Sequence, residues 1–173
     1  SNIDLDKSSK TGITSAVDLL CTTTNNKKIA VEMQGQKKNY FLAREQEYMA
    51  KLISGQVKVG EGKKYHEKVL DTYIVVIGKE NLFSRNSKLR EQDLFEIDVK
   101  PIIVQTGEVY PNNKMNWKFY ELPKFAGSDI YKTINVLSEI KHQWLEFFYN
   151  CGKNTELPER NDIIKEAYKI MEI

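Results

Sequence analysis

The stretch Ser15–Gln36, SAVDLLCTTTNNKKIAVEMQGQ, decides how the chain is read. It holds two short apolar runs joined by polar residues, and each run carries an acid where a buried strand ordinarily has none. The first run, Ala16–Cys21, is apolar except for Asp18. The second alternates Ile29, Val31 and Met33 with Ala30, Glu32 and Gln34, the two-residue period of a strand, so Glu32 and Gln34 point the same way. Between the runs, Thr24, Asn25 and Asn26 accept tight and left-handed backbone. Directly opposed residues of an antiparallel pair share a face. A two-residue loop at Asn25-Asn26 therefore sets Asp18 against Met33, away from Glu32. A three-residue loop centred on Asn25 sets it against Glu32, and one centred on Asn26 against Gln34. The expectation is an odd-numbered loop with a bulge, and a register in which Asp18, Glu32 and Gln34 share a face.

Two carboxylates on neighbouring strands repel and resist burial, so such a pair persists only with a compensating cation or a shared proton. A hard divalent metal suits it. Mg²⁺ takes oxygen ligands and keeps several waters, so one or two carboxylates, a main-chain carbonyl and a phosphate complete its shell. The plainer alternative is that Asp18 ends its strand and Glu32 is solvated on an exposed face.

A family resemblance meets these residues. The segment VDLLCTTTNNKKIAVEMQ, followed by YFLAREQEYMAKLISGQVKVGEGKKY, resembles the PD-(D/E)XK nuclease family transposases, the Rpn-type recombination-promoting nucleases. Their pattern is matched by Asp18, Glu32-Met33-Gln34, Arg44, Tyr48, Gln56, Gly60-Glu61 and Tyr65. Further on it is matched by Glu121-Leu122-Pro123-Lys124-Phe125 and by Trp144 with Phe147. The resemblance spans roughly residues 14 to 150 in order and spacing, and no single motif in it suffices alone. It implies a single α/β domain of the restriction-endonuclease-like type, a mixed sheet flanked by helices. It also implies Mg²⁺-dependent (or Mn²⁺-dependent) cleavage of DNA linked to recombination or transposition. In that implied site Asp18 and Glu32 hold the metal, the Met33 carbonyl is a further ligand, and Gln34 stands where the wider nuclease fold has Lys. Gln34 carries no charge and cannot act as a general base at neutral pH. The family has a first helix and a strand ahead of the Asp, and this chain is expected to begin after them. The rival reading is a catalytically silent nuclease-fold module that binds DNA or a protein partner.

At 173 residues, with 40% apolar and 29% charged residues, the chain suits one ordinary globular domain. Residues 1–13 read as a polar, irregular lead-in whose Ser1-Asn2 start looks like a tag remnant, and residues 14–173 read as the domain. No apolar run reaches the ~20 residues of a membrane span, so a cytoplasmic protein without a membrane partner is expected. Cys21 and Cys151 lack metal spacing and read as buried thiols. The net charge of +2 says nothing about nucleic acid, but Lys27–Lys68 holds ten Lys/Arg against five Asp/Glu.

A helix is expected from about Asn39 to Val57, with Phe41/Leu42, Tyr48/Met49, Leu52/Ile53 and Gln56 on its core face. Arg44, Lys51 and Lys58 recur every seven residues and form one stripe, with Lys37 just ahead of it. If that stripe borders the face bearing Glu32, these cations hold DNA phosphates; otherwise they are a solvated basic face. Gln56, near the apolar seam, is a candidate support for the metal site. Val69–Ile77 reads as a central buried strand, and Asp93–Val99 and Ile102–Val109 as two more divided at Pro101. Asn116–Pro123 ends the sheet region. One helix is expected over Asp129–Asn150, capped by Ser128 and stopped by Gly152, with Ile130, Ile134, Leu137, Lys141, Trp144 and Phe148 along one stripe. A last helix, about Glu159–Met171, packs Ile163, Ile164, Ala167 and Ile170, closing the core or forming a homodimer. Gly60–Lys64 lacks phosphate-loop spacing, and His66 and His142 have no nucleophile or acid at a catalytic spacing.

Overall fold

The computed structural model describes residues 3–5, 15–36, 38–57, 65–83, 88–89, 92–151 and 159–171. Strands β1 (Ile3–Leu5) and β2 (Ser15–Val17) pair antiparallel as a two-stranded sheet. The main sheet is built from β3 (Leu19–Thr22), β4 (Lys27–Gln34), β5 (Asp71–Gly78), β6 (Glu96–Val99) and β7 (Met115–Glu121). Its strand order is β3-β4-β5-β7-β6. Helix α1 (Phe41–Ser54) lies between β4 and β5 in sequence, and α2 (Leu122–Gly127), α3 (Asp129–Lys132), α4 (Ile140–Asn150) and α5 (Asp162–Met171) follow β7. This is the expected α/β architecture, a mixed five-stranded sheet flanked by helices. The chain forms two compact units, one of residues 1–77 and 96–120 and one of residues 78–95 and 121–173.

In the first unit the β3–β4 register opposes Leu19 to Val31, Leu20 to Ala30 and Cys21 to Ile29. Asp18 lies in the bend one residue beyond the last pair of that register. The loop that fixes the register is Thr24-Asn25-Asn26: Thr23 N–H donates to the Lys27 carbonyl at 2.9 Å, and Asn26 takes a left-handed φ of 55°. This is the three-residue loop centred on Asn25, with the left-handed residue last, as in hairpins that end in a bulge. Two local readings change. The run Ala16–Cys21 is not one strand, because the chain leaves the β1 ladder after Val17 and enters the β4 ladder at Leu19. Ile3–Leu5, within the stretch read as irregular, supplies that first ladder. Cys21 is exposed rather than buried, since it sits on the outer strand of the sheet.

Helix α1 buries Phe41, Tyr48, Met49 and Leu52 as its spacing requires, while Leu42 is exposed. Phe41 meets Phe119 of β7 edge to face at 6.4 Å, and the Trp117 indole N–H donates to the Glu45 carbonyl at 3.2 Å. The central strand β5 buries Thr72, Ile74 and Val76 on one face, with Tyr73 and Val75 half-buried on the other. Ile102–Val109 is not a strand. Only Ile102 and Val109 form a bridge, around a turn in which the Thr106 and Gly107 N–H groups both reach the Ile103 carbonyl. Gly107, at φ 76°, supplies the left-handed step, and Val104 is 84% exposed.

In the second unit the expected helix over Asp129–Asn150 is two helices. Ser128 does cap the first, its hydroxyl accepting from the Tyr131 N–H at 3.3 Å. Asn135 then competes with the helix for its own backbone: its Oδ1 accepts the Leu137 N–H at 2.8 Å while the Asn135 N–H donates to Ser138 Oγ at 3.0 Å. Leu137, placed on the expected core stripe, is 91% exposed. Helix α4 ends at Asn150, and Gly152 lies outside the described residues. In α5 the buried face is Ile164, Ala167 and Tyr168 against Trp144, Phe147 and Phe148; Ile163 and Ile170 are exposed. The ELPKF segment forms a buried tie. Glu121 Oε1 accepts the Phe83 N–H at 2.8 Å, Lys124 Nζ is 2.8 Å from Glu121 Oε2, and the same Nζ donates to the Leu89 carbonyl.

Candidate active site

Asp18 occupies the bend between β2 and β3, where no ladder claims it. Its Oδ2 accepts the Met33 N–H at 2.7 Å, the bond a continuing strand would have made. The sheet switch thus leaves a carboxylate beside β4 at the height of Glu32. Glu32 and Gln34 alternate with Val31 and Met33 along β4 and are both buried. Burial and the neighbouring Asp18 charge push the Glu32 carboxyl above its ordinary pKa, while the Arg44 guanidinium and the Asp18 N–H oppose the rise. Asp18 and Glu32 are close enough for the charge of one to bear on the other.

Arg44 supplies the positive charge they need. Its Nη2 donates to Glu32 Oε1 at 3.0 Å and to Gln34 Oε1 at 2.7 Å. The guanidinium also lies over the Phe41 and Tyr48 rings, 5.6 and 5.5 Å from their centroids. The Gln34 amide is held at its other end by the Gln36 carbonyl. Sequence reasoning put Arg44 on a basic stripe and left open whether that stripe borders the Glu32 face or is solvated. In the structure the Arg44 side chain turns onto Glu32 and Gln34.

One residue of this site was not anticipated. Glu45, on α1, is 1% exposed, and neither carboxylate oxygen has a hydrogen-bond partner. Its Oε1 is 3.7 Å from Arg44 Nε, an ion pair beyond hydrogen-bond reach, and that Nε is likewise buried without a partner. Burial first, and then the Glu32 charge, push the Glu45 carboxyl up to about 7, against the pull of Arg44. The signal was available in the sequence, because Glu45 lies four residues after Phe41 and three before Tyr48, on the apolar seam of the helix.

Of the remaining expected residues, the structure describes the side chains of Gln56 and Lys51. Gln56 donates to the Thr72 hydroxyl at 2.8 Å and to the Leu52 carbonyl, and accepts the Leu70 N–H at 2.8 Å, so it ties the end of α1 to the start of β5. Lys51 pairs with Glu47 at 2.7 Å. Lys37 and Lys58 lie outside the described residues, as do the side chain of Tyr65 and Gly60-Glu61.

The sequence model of the PD-(D/E)XK nuclease family transposases matches residues 1–173, the whole chain. The chain belongs to this family. No curated protein and no solved structure matches it. In a PD-(D/E)XK nuclease the acids at Asp18 and Glu32 are the place to test for a divalent cation. Among the described residues no three His, Cys, Asp or Glu side chains stand close enough to hold a metal by themselves. The donor set is nevertheless of the kind that suits a hard divalent cation: two carboxylates, one of them paired with an arginine.

Proposed function

We propose that the chain is a metal-dependent DNA endonuclease acting in recombination or transposition, with Asp18 and Glu32 as the metal-holding acids. The observation that supports this reading is the Asp18 carboxylate on the Met33 N–H beside Glu32, with Arg44 as the counter-charge of Glu32. The family supports DNA as the substrate class. Met33 is the third ligand through its carbonyl. Its N–H already points at Asp18, and in an extended residue the N–H and C=O leave toward the same neighbouring strand. A bound Mg²⁺ supplies an acidified water and charge stabilisation at phosphorus. The chain's own residues do the rest. Asp18 and Glu32 fix the position of that centre, and Gln34, anchored at Gln36, orients a water or a phosphate oxygen through its amide without taking a proton. The Lys/Arg excess of Lys27–Lys68 favours DNA and makes its binding salt-dependent.

The experiment is nicking of supercoiled plasmid by the purified chain with Mg²⁺, Mn²⁺, Ca²⁺ or EDTA, beside Asp18→Ala and Glu32→Ala. Metal-dependent nicking lost in both variants is the expected result. No nicking with any metal, with DNA still retarded in a low-salt gel, makes the chain a binding module instead.

A further inference from the structure

Arg44 Nη2 is shared between Glu32 Oε1 and Gln34 Oε1, the two groups that the proposed metal site needs free. On the other side of the same guanidinium, Nε faces Glu45 Oε1 at 3.7 Å, and both atoms are buried with no hydrogen-bond partner. An arginine fully used at one end and unsatisfied at the other, beside a buried carboxylate with two open oxygens, has a second place to go. The shift required is small, since 3.7 Å is about 1 Å longer than a charge-assisted hydrogen bond. The Phe41 and Tyr48 rings flank the guanidinium. They hold its plane without hydrogen bonds that a short slide would break.

We infer that Arg44 is a built-in counter-cation that yields Glu32 and Gln34 when a divalent cation enters, and that Glu45 is the positioning residue that receives it. The inference rests on the metal-site reading above and goes beyond it. Arg44 competes with the metal for Glu32, and Glu45 favours the metal-loaded arrangement without touching the metal. Closing the Arg44–Glu45 pair also gives the orphaned Nε and the orphaned Glu45 Oε1 to each other, which is a reason for a carboxylate at this apolar position.

The test is the affinity of the whole chain for Mn²⁺ alone, by calorimetry, with metal-free melting temperature as the control for folding. Glu45→Gln keeps the shape and an acceptor oxygen but removes the charge that draws Arg44; it is expected to weaken Mn²⁺ binding about tenfold, as loss of an outer partner of a metal site does. Arg44→Ala is expected to tighten it several-fold while lowering the metal-free melting temperature. Arg44→Lys, which keeps the charge, is expected to leave affinity near that of the wild type. Opposite shifts for Glu45→Gln and Arg44→Ala support the exchange, because a merely structural role for either residue moves both in the same direction. Binding that is lost in Glu32→Gln but unchanged in Glu45→Gln overturns the exchange and leaves the metal site standing. Absence of Mn²⁺ binding in the wild type and in Arg44→Ala overturns both.

Discussion

Glu45 occupies the buried seam of α1 with Phe41, Tyr48, Met49 and Leu52, and its carboxyl is held near 7 instead of its ordinary 4.5. The consequence for stability has a definite sign. A raised pKa means that the folded chain keeps a proton that the unfolded chain has lost, so stability falls as pH rises from about 4.5 to about 7. Glu45→Gln removes that loss. Its metal-free melting temperature is expected to match the wild type at pH 4 and to exceed it at pH 8 by roughly 2–4 °C per kcal/mol recovered. An equal shift at both pH values would show that Glu45 titrates normally. Glu32 adds to the same trend, since burial and Asp18 raise it as well. At this scale the sequence named Asp18, Glu32, Gln34 and Arg44 but not their connections. A list of residue types cannot say that one guanidinium nitrogen bridges Glu32 to Gln34, because that depends on where α1 crosses β4.

The hairpin β3–β4 is the element on which the site depends. Its loop length sets the register of β3 on β4, and Asn26 is the one left-handed residue of the loop. Asn26→Gly is expected to be close to neutral, whereas Asn26→Val is expected to cost about 1–2 kcal/mol in urea unfolding, since a β-branched side chain resists this conformation. If Asn26→Val is harmless, the turn is not what fixes the register. Other elements were harder to read, for local reasons. The Asp129–Asn150 pattern has helical spacing throughout, yet Asn135 and Ser138 offer the backbone side-chain partners that a helix cannot match. The apolar run at Ile102–Val109 has strand composition but a turn at its centre and no neighbouring strand beyond its own bridge. Composition favours a strand there, and the absence of a ladder partner wins.

In the second unit, Arg160 donates from Nε and Nη2 to both oxygens of Glu146 at 2.6 Å, with Glu146 buried. Arg160→Ala leaves that carboxylate without its counter-charge and is expected to destabilise by about 3 kcal/mol, where Lys132→Ala, at a solvent-exposed pair, changes stability by less than about 0.5 kcal/mol. Urea unfolding of the two variants separates the cases, and similar small effects would place Glu146 in water. No helix among the described residues is long and apolar enough to cross a membrane. Across the whole molecule, the sequence by itself determined the α/β class, a central strand read over Val69–Ile77 and found at Asp71–Gly78, the helix after Gln34, and the β3–β4 loop of odd length. All of these follow from periodicity, turn residues and the two acids, which are local properties of the chain, together with the family pattern. Only the tertiary structure decided that Asp18 stands where the chain changes sheets, that Arg44 closes on Glu32 and Gln34, and that Glu45 is buried beside them with open oxygens. Those facts depend on which surfaces meet, and burial converts an ordinary acid on a helix into a group whose charge the site must answer.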